Sequence, residues 1–534
     1  MSLSDFARPP AFLLLILASL AAYLVVAAAA FGMPGFAEDM GLTHDLARKL
    51  TQTGGWQDVG ARWIGPLWGH GSTMWRPWGY TSLALDAVLW GADGRPWHAT
   101  NLLLHLTASV LTAWIAWVWL RHRVASGLAF AAMLLNPWSA EVTLWLVGRF
   151  DGWATVGMVT AVAALELRGR WVPIALSLAA AALGYLSKES TLIMPALITA
   201  WIVASPNTAA SNRPRFRLTA FVAHLVLALA YLVARKLAVG TSSTFVYGGD
   251  LDGTLAVLTN AITAHLGAML GSGTAWAPLQ MACATLALVL STFGGHRGRR
   301  VATAATLWTL AVIAAVAWHF PAPLESGEGK RLYYAAAPAI ALLFAAAAVG
   351  VERTISSRAA APSVNLAAVV TSALIAPGAA SLLVSTSRWT EAAASVDRAA
   401  DAIAIIVARH AEDRGYGLVL VPDRFGAIPL FRNAQGGLLQ YAGRRHPELP
   451  APLDYAVPMT DQQIAEWQGL LTKEIVRVLT PRGDAPARPT RLWCIDTDGT
   501  PHPQPVPDAD DEAWRRALVE VRLRCGWPTQ PPAW

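Results

Sequence analysis

Two adjacent carboxylates, Glu38 and Asp39, stand seven and eight residues past Phe31, where the apolar run 11–31 ends. Acids paired at the edge of an apolar segment can supply a general base or ligate a divalent cation. They can equally be solvated charges favoured at the start of a helix. Charged groups recur against apolar sequence farther on: Arg76 in MWRPWGY, Glu141, Arg149 and Asp151 in NPWSAEVTLWLVGRFDGW, Lys188 and Glu189 in GYLSKES, and Lys330 and Arg331 in PAPLESGEGKRLYYAAAP. Each such charge costs roughly 2.5–3.5 kcal/mol at the centre of an inserted helix, so these groups must face a cavity or one another. A guanidinium at a helix entry suits a phosphate, because its planar fork donates two parallel hydrogen bonds, but it also anchors lipid headgroups. His98, Asn101 and His105 fall at i, i+3 and i+7, one stripe of a helix. Such a stripe serves interhelical hydrogen bonding or a binding site, and i, i+7 is not the usual spacing of metal-ligating histidines. Of the three cysteines, Cys283 lies in an apolar span, whereas Cys494 and Cys525 share the polar tail and can form a disulfide in an oxidising compartment.

The elements that position these groups are membrane helices. Of 534 residues, 54% are hydrophobic and only 14% charged, and the mean hydropathy is +0.40, which makes the bilayer the solvent. The net charge of +6 comes without a basic run interleaved with base-stacking aromatics, so nucleic acid is not an expected partner. The run 11–31, with 21 residues, is longer than a signal-peptide core and reads as a retained first helix. Further apolar spans fall near 98–120, 124–146, 152–167, 171–187, 190–204, 218–239, 275–293, 301–319, 332–350 and 364–386. The expected fold is therefore all-α and polytopic, with about eleven transmembrane helices over 1–386. Basic residues on alternate loops (Arg121 with Arg123, Arg168 with Arg170, Arg213 to Arg217, Arg297 to Arg300, Arg353 with Arg358) mark those loops as cytoplasmic. The charged clusters and everything after residue 386 then lie outside, on the periplasmic side if the membrane is a bacterial inner membrane. The first outer loop, 32–97, holds seven tryptophans (Trp56, Trp63, Trp68, Trp75, Trp78, Trp90 and Trp97), which predicts amphipathic helices along the membrane surface. The tail 387–534 reads as a small extracytoplasmic α/β domain, with a helix over AASVDRAADAIAIIVARH, strands at 417–422 and 492–496, a second helix near 460–478, and a polar stretch at 431–447 suited to a surface loop or a ligand contact.

Taken in order, the acid pair after the first helix, RP with WHATNLLLH, NP…E…GRFD, LSKES and KRLYYAAAP resemble the membrane region of the O-mannosyltransferases that carry tetratricopeptide tails, and their bacterial relatives. The resemblance spans about residues 30–345 and places the chain among the GT-C glycosyltransferases, of which the protein O-mannosyltransferases and lipid A aminoarabinose transferases are more distant members. It implies inverting transfer from a polyprenyl-phosphate sugar to a hydroxyl of a protein, lipid or glycan acceptor. It also implies an acid of the first outer loop as base, here Asp39 or Glu38, and a basic residue near the last outer loop, here Arg331 with Lys330 beside it, on the donor phosphate. Arg76, His98, Asn101, His105, Glu141, Arg149, Asp151, Lys188 and Glu189 fall within the matching motifs, which assign them no individual roles; Arg149 and Lys188 are expected to contact the phosphate or neutralise the site's acids, and the others to bind substrate or support the site. No cofactor is required, although Glu38 and Asp39 could hold a divalent metal. Two departures leave the sugar and acceptor open: Glu38 stands where the family often has a second aspartate, and the tail has no repeats. The alternative is a transporter or flippase for a lipid-linked glycan, which calls for inverted repeats and broken helices at mid-membrane.

Overall fold

Alanine and leucine dominate the helices, and the two residues divide the labour between packing and lipid contact. In a computed structural model of the chain, the residues described are 10–36, 38–52, 54–67, 72, 74–205, 214–240, 264–265, 277–319, 329–356, 363–409, 416–421, 424–425, 428–430, 435–447, 475–479, 491–496, 498–505 and 520. Among them six helices are long and apolar enough to cross a membrane: Leu13–Gly32, His98–Leu120, Pro214–Val239, Gly295–Trp318, Lys330–Ile355 and Ala367–Arg409. Shorter apolar helices cover Arg123–Leu134, Trp171–Tyr185, Glu189–Ala204 and Leu279–Thr292. The chain is an all-α polytopic membrane protein that also carries a small sheet formed by its C-terminal segment.

The chain divides into two units. The first comprises 1–30, 54–85 and 98–386. Its most buried helix, Ala337–Ser356, presents Ala339, Ala341 and Ala345 to Ala348 to its neighbours, all 1% exposed or less. Small side chains let backbones approach closely, which is how membrane helices gain contact without a hydrophobic driving force. A methyl group added at Gly350 would stand 1.9 Å from the Leu290 carbonyl oxygen, and one at Gly157 2.9 Å from Gly184 Cα, so both crossings require glycine. By contrast, Leu225, Leu229, Val233 and Leu237 lie exposed along one side of Pro214–Val239, as a lipid-facing stripe should.

The second unit comprises 31–53, 86–97 and 387–534. It contains helix α2 (Glu38–Thr51), residues 387–409 of the helix Ser363–Arg409, the helix Gln435–Arg445, and a four-stranded sheet. The sheet order is β4 (Ile475–Leu479), β1 (Tyr416–Leu420), β5 (Arg491–Ile495), β6 (Pro501–Gln504), with β1 and β5 parallel and the other pairs antiparallel.

Several expected boundaries shift. The apolar stretch 124–146 is not one span: helix α6 (Arg123–Leu134) ends before Asn136-Pro137, and a six-residue helix α7 (Ser139–Leu144), an extended Trp145 and a 3-10 turn follow. Proline lacks the N–H that would continue the ladder and restricts the residue before it. Conversely, the stretch 364–386 and the helix expected after Arg388 are one continuous helix, Ser363–Arg409, with Pro377 inside. The end of the helix expected at 460–478 is strand β4, where Ile475, Val476 and Val478 are β-branched. The polar stretch 431–447 is helical over Gln435–Arg445, because Leu438, Tyr441 and Ala442 recur at helical spacing and are buried.

Candidate active site

The polar stripe of helix α5 (His98–Leu120) meets the chain released by the Asn136-Pro137 break. The Asn101 amide donates to the carbonyls of Val142, Trp145 and Leu146 at 3.0, 2.9 and 3.3 Å. The Trp145 and Leu146 carbonyls also accept the 3-10 bonds from the Gly148 and Arg149 N–H groups, so Asn101 adds a second bond that ties the turn to α5. The Asn101 Oδ1 accepts from Arg149 Nε at 3.1 Å, and Arg149 Nη1 donates to the Ser82 carbonyl at 3.1 Å. His98 Nδ1 lies 3.1 Å from the Thr143 carbonyl and therefore carries the proton. By the same logic His105 donates from Nε2 to Leu134 O (3.0 Å), leaving Nδ1 to accept from the Tyr334 hydroxyl (2.6 Å). All three members of the stripe are fully buried, and they fix the loop 135–148 rather than converge on an open site.

That loop delivers Glu141, and beyond it comes helix α8 (Arg149–Ala164), which delivers Asp151 in its first turn. Gly148 permits the turn: a Cβ there would lie 2.6 Å from the Glu141 carbonyl oxygen. Across from them, the 3-10 segment Lys330–Ala336 begins after Gly329, whose positive φ of 84° suits glycine. The Glu141 carboxylate accepts from the backbone N–H groups of Gly329 and Arg331 at 3.3 and 3.0 Å and from Arg331 Nη1 at 3.2 Å. The Arg331 guanidinium lies over the Trp145 ring, Cζ 3.9 Å from its centroid, with Nε 4.0 Å from Asp151 Oδ2. Its side chain stays 26% exposed, and among the described residues no acceptor faces Nη2.

The other Asp151 oxygen takes a 2.5 Å hydrogen bond from Lys188 Nζ. Lys188 precedes the 3-10 turn Glu189–Ile193, and burial pushes its ammonium below the ordinary lysine range while Asp151 opposes that shift. Next to it, Glu189 Oε2 accepts from Arg76 Nε and Nη2 at 3.1 and 2.8 Å, and Arg76 Cζ lies 5.5 Å from the Phe150 ring centroid. Six of the charges expected from sequence thus form one chain of pairs, Arg76–Glu189, Lys188–Asp151 and Arg331–Glu141, linked where Arg331 approaches Asp151. Arg149, wholly buried behind them, holds the scaffold through Asn101 and Ser82. Of the three cations in these pairs Arg331 keeps the most exposure, 26% against 15% for Arg76 and 10% for Lys188, and it is seated on the Trp145 ring.

Trp145, Phe150 and Tyr334, which the sequence reading did not single out, seat these groups. The available signal was an aromatic residue within five positions of a charge inside an apolar run. Lys330 opens the 3-10 segment beside Arg331.

The remaining expected residues belong to the second unit. Asp39 is buried in the first turn of α2, and its Oδ2 lies 3.5 Å from the Phe36 backbone nitrogen. A helix N-terminus favours a carboxylate there. Phe36 packs edge-on against Trp389, with ring centroids 4.9 Å apart. Glu38 opens the same helix, and its side chain lies outside the described residues. Cys494 is disulfide-bonded and Cys283 is a free, buried thiol, while Cys525 lies outside the described residues. Among the described residues no three histidine, cysteine or acidic side chains converge as a metal-binding group.

No protein-family model matches the chain, and no curated protein does. Among solved structures the chain is similar to two crystal structures of ArnT from Cupriavidus metallidurans, one bound to undecaprenyl phosphate and one in the apo state. Each has a TM-score of 0.45 and 13% identity over 90% of this chain, covering 100% of the first ArnT chain and 92% of the second. A likeness of that degree carries none of the assignment, which rests on the residues described above.

Proposed function

We propose that the chain is an inverting glycosyltransferase that moves a sugar from a polyprenyl-phosphate carrier to an acceptor hydroxyl at the extracytoplasmic membrane face. The observation that supports it most is the Arg331 clamp. In a polytopic membrane protein, a guanidinium is stacked on Trp145 and held by Glu141, with one edge left for a ligand. A fork presented in this way suits the oxygens of a phosphate, and a membrane setting suits a phosphate on a lipid.

The chemistry follows from the leaving group. The acceptor oxygen attacks the anomeric carbon, the bond from that carbon to the carrier phosphate breaks, and the acceptor proton passes to Asp39, with Glu38 as the alternative base. The electron pair leaves on the phosphate, whose charge Arg331 takes up, assisted by Lys330 and Lys188. A single displacement inverts the linkage, because base and phosphate must stand on opposite faces of the sugar. No step needs a metal, and Glu38 and Asp39 are the groups that would hold one.

The test is Asp39→Asn and Glu38→Gln, each assayed for transfer in proteoliposomes supplied with polyprenyl-phosphate sugars. Loss of turnover in Asp39→Asn with normal expression and melting supports the assignment. Full activity in both variants and in their double variant removes this acid pair from the mechanism.

A further inference from the structure

Of the buried polar atoms in the first unit that lack a partner among the described residues, three belong to one neighbourhood: the Tyr185 hydroxyl, the Tyr231 hydroxyl and Glu189 Oε1. Tyr231 stacks between Trp75 and Tyr185, with centroids 5.7 and 5.0 Å away, and the charges of Glu189, Arg235 and Arg76 act on its hydroxyl. Tyr185 and Tyr231 are 1% and 5% exposed, whereas the Arg76 and Glu189 side chains keep 15% and 12% of their surface open. Arg76 Nε and Nη2 both donate to Glu189 Oε2 and so aim the carboxylate while leaving Oε1 unused.

Phenylalanine would fill the same stack, and native structures seldom leave buried hydroxyls unmet. The set offers two O–H donors and one carboxylate acceptor along an aromatic wall, which complements a ligand rich in hydroxyls. An alkyl chain would leave all three atoms unsatisfied. Lys188, adjacent to Glu189 in sequence, connects this group through Asp151 to Arg331.

We propose that Tyr185, Tyr231 and Glu189 form a hydroxyl-recognising subsite for the sugar of the lipid-linked donor, separate from the Arg331 group that takes its phosphate. The proposal rests on the glycosyltransferase reading and assigns where sugar selectivity resides.

The test is binding to the purified full chain in nanodiscs, with sugar-free undecaprenyl phosphate and a panel of undecaprenyl-phosphate hexoses and pentoses as probes. Wild type should bind at least one sugar-bearing lipid about tenfold more tightly than the sugar-free lipid, the worth of one good hydrogen bond to a charged group. Tyr185→Phe/Tyr231→Phe, which keeps the stack and should keep the melting temperature, should lose that gain and bind the sugar-free lipid as before. Retention of the gain in the double variant, or no gain for any sugar in wild type, overturns the subsite and leaves these atoms to structural water. Loss of affinity for a free oligosaccharide with the donor gain intact overturns its assignment to the donor. Failure of wild type to bind even the sugar-free lipid overturns the underlying reading instead.

Discussion

Arg331 is held from three directions, by the Glu141 carboxylate, by the Trp145 ring and by the approach of Asp151. Lysine cannot reproduce either the stack or the fork. We therefore expect Arg331→Lys to raise KM for the lipid donor by roughly tenfold to a hundredfold, the worth of one lost charge-assisted hydrogen bond, with little change in melting. An unchanged KM in steady-state kinetics would remove Arg331 from donor binding. The Lys188–Asp151 pair is more enclosed, at 10% and 7% side-chain exposure, so removing one partner leaves a charge stranded. Lys188→Met should destabilise by roughly 3–5 kcal/mol, and Lys188→Met/Asp151→Leu should recover much of that stability without recovering activity. Thermal unfolding of the single and double variants in detergent checks both halves, and equal melting of the single variant and wild type would contradict the pairing.

At the scale of elements, the loop 135–148 matters more than any span beside it. It carries Glu141 and Trp145 to Arg331, and Asn101 ties its carbonyls to α5. Gly148→Ala would drive a methyl group to 2.6 Å from the Glu141 carbonyl, so the turn must open. The expected outcome is at least a tenfold loss of transfer together with a lowered melting temperature. Wild-type kinetics in this variant would show that the turn does not govern the site. Much of this element was legible in the sequence: NP announces a helix break, and an acid in an apolar run announces a partner. What hid the break was hydropathy, which reads 124–146 as continuous because the loop is as apolar as the helices around it. The stripe of His98, Asn101 and His105 was visible as a pattern, but its partners were not, since backbone carbonyls freed by a break forty residues away leave no mark on helical spacing. The aromatic seats were missed because tryptophan, with 24 copies, is common throughout this chain, and only the fold shows that Trp145 lies under a guanidinium.

For the whole molecule, the basic loops predict that the C-terminal segment containing the disulfide-bonded Cys494 lies on the extracytoplasmic side. Alkaline phosphatase fused after Trp534 should be active in cells, and a fluorescent protein fused there in its place should be dark; the reverse pattern would contradict the orientation and the face assigned to the reaction. The central claim is transfer, and the most direct measurement follows one labelled substrate. Purified chain in proteoliposomes is given polyprenyl-phosphate sugars labelled on the sugar, with membrane extract as acceptor source. The account predicts that label leaves the lipid and appears on an acceptor with inverted anomeric configuration, releasing free polyprenyl phosphate, and that Arg331→Gln stops this. Label that crosses the bilayer still joined to its lipid, with no phosphate released, would contradict it and identify a transporter.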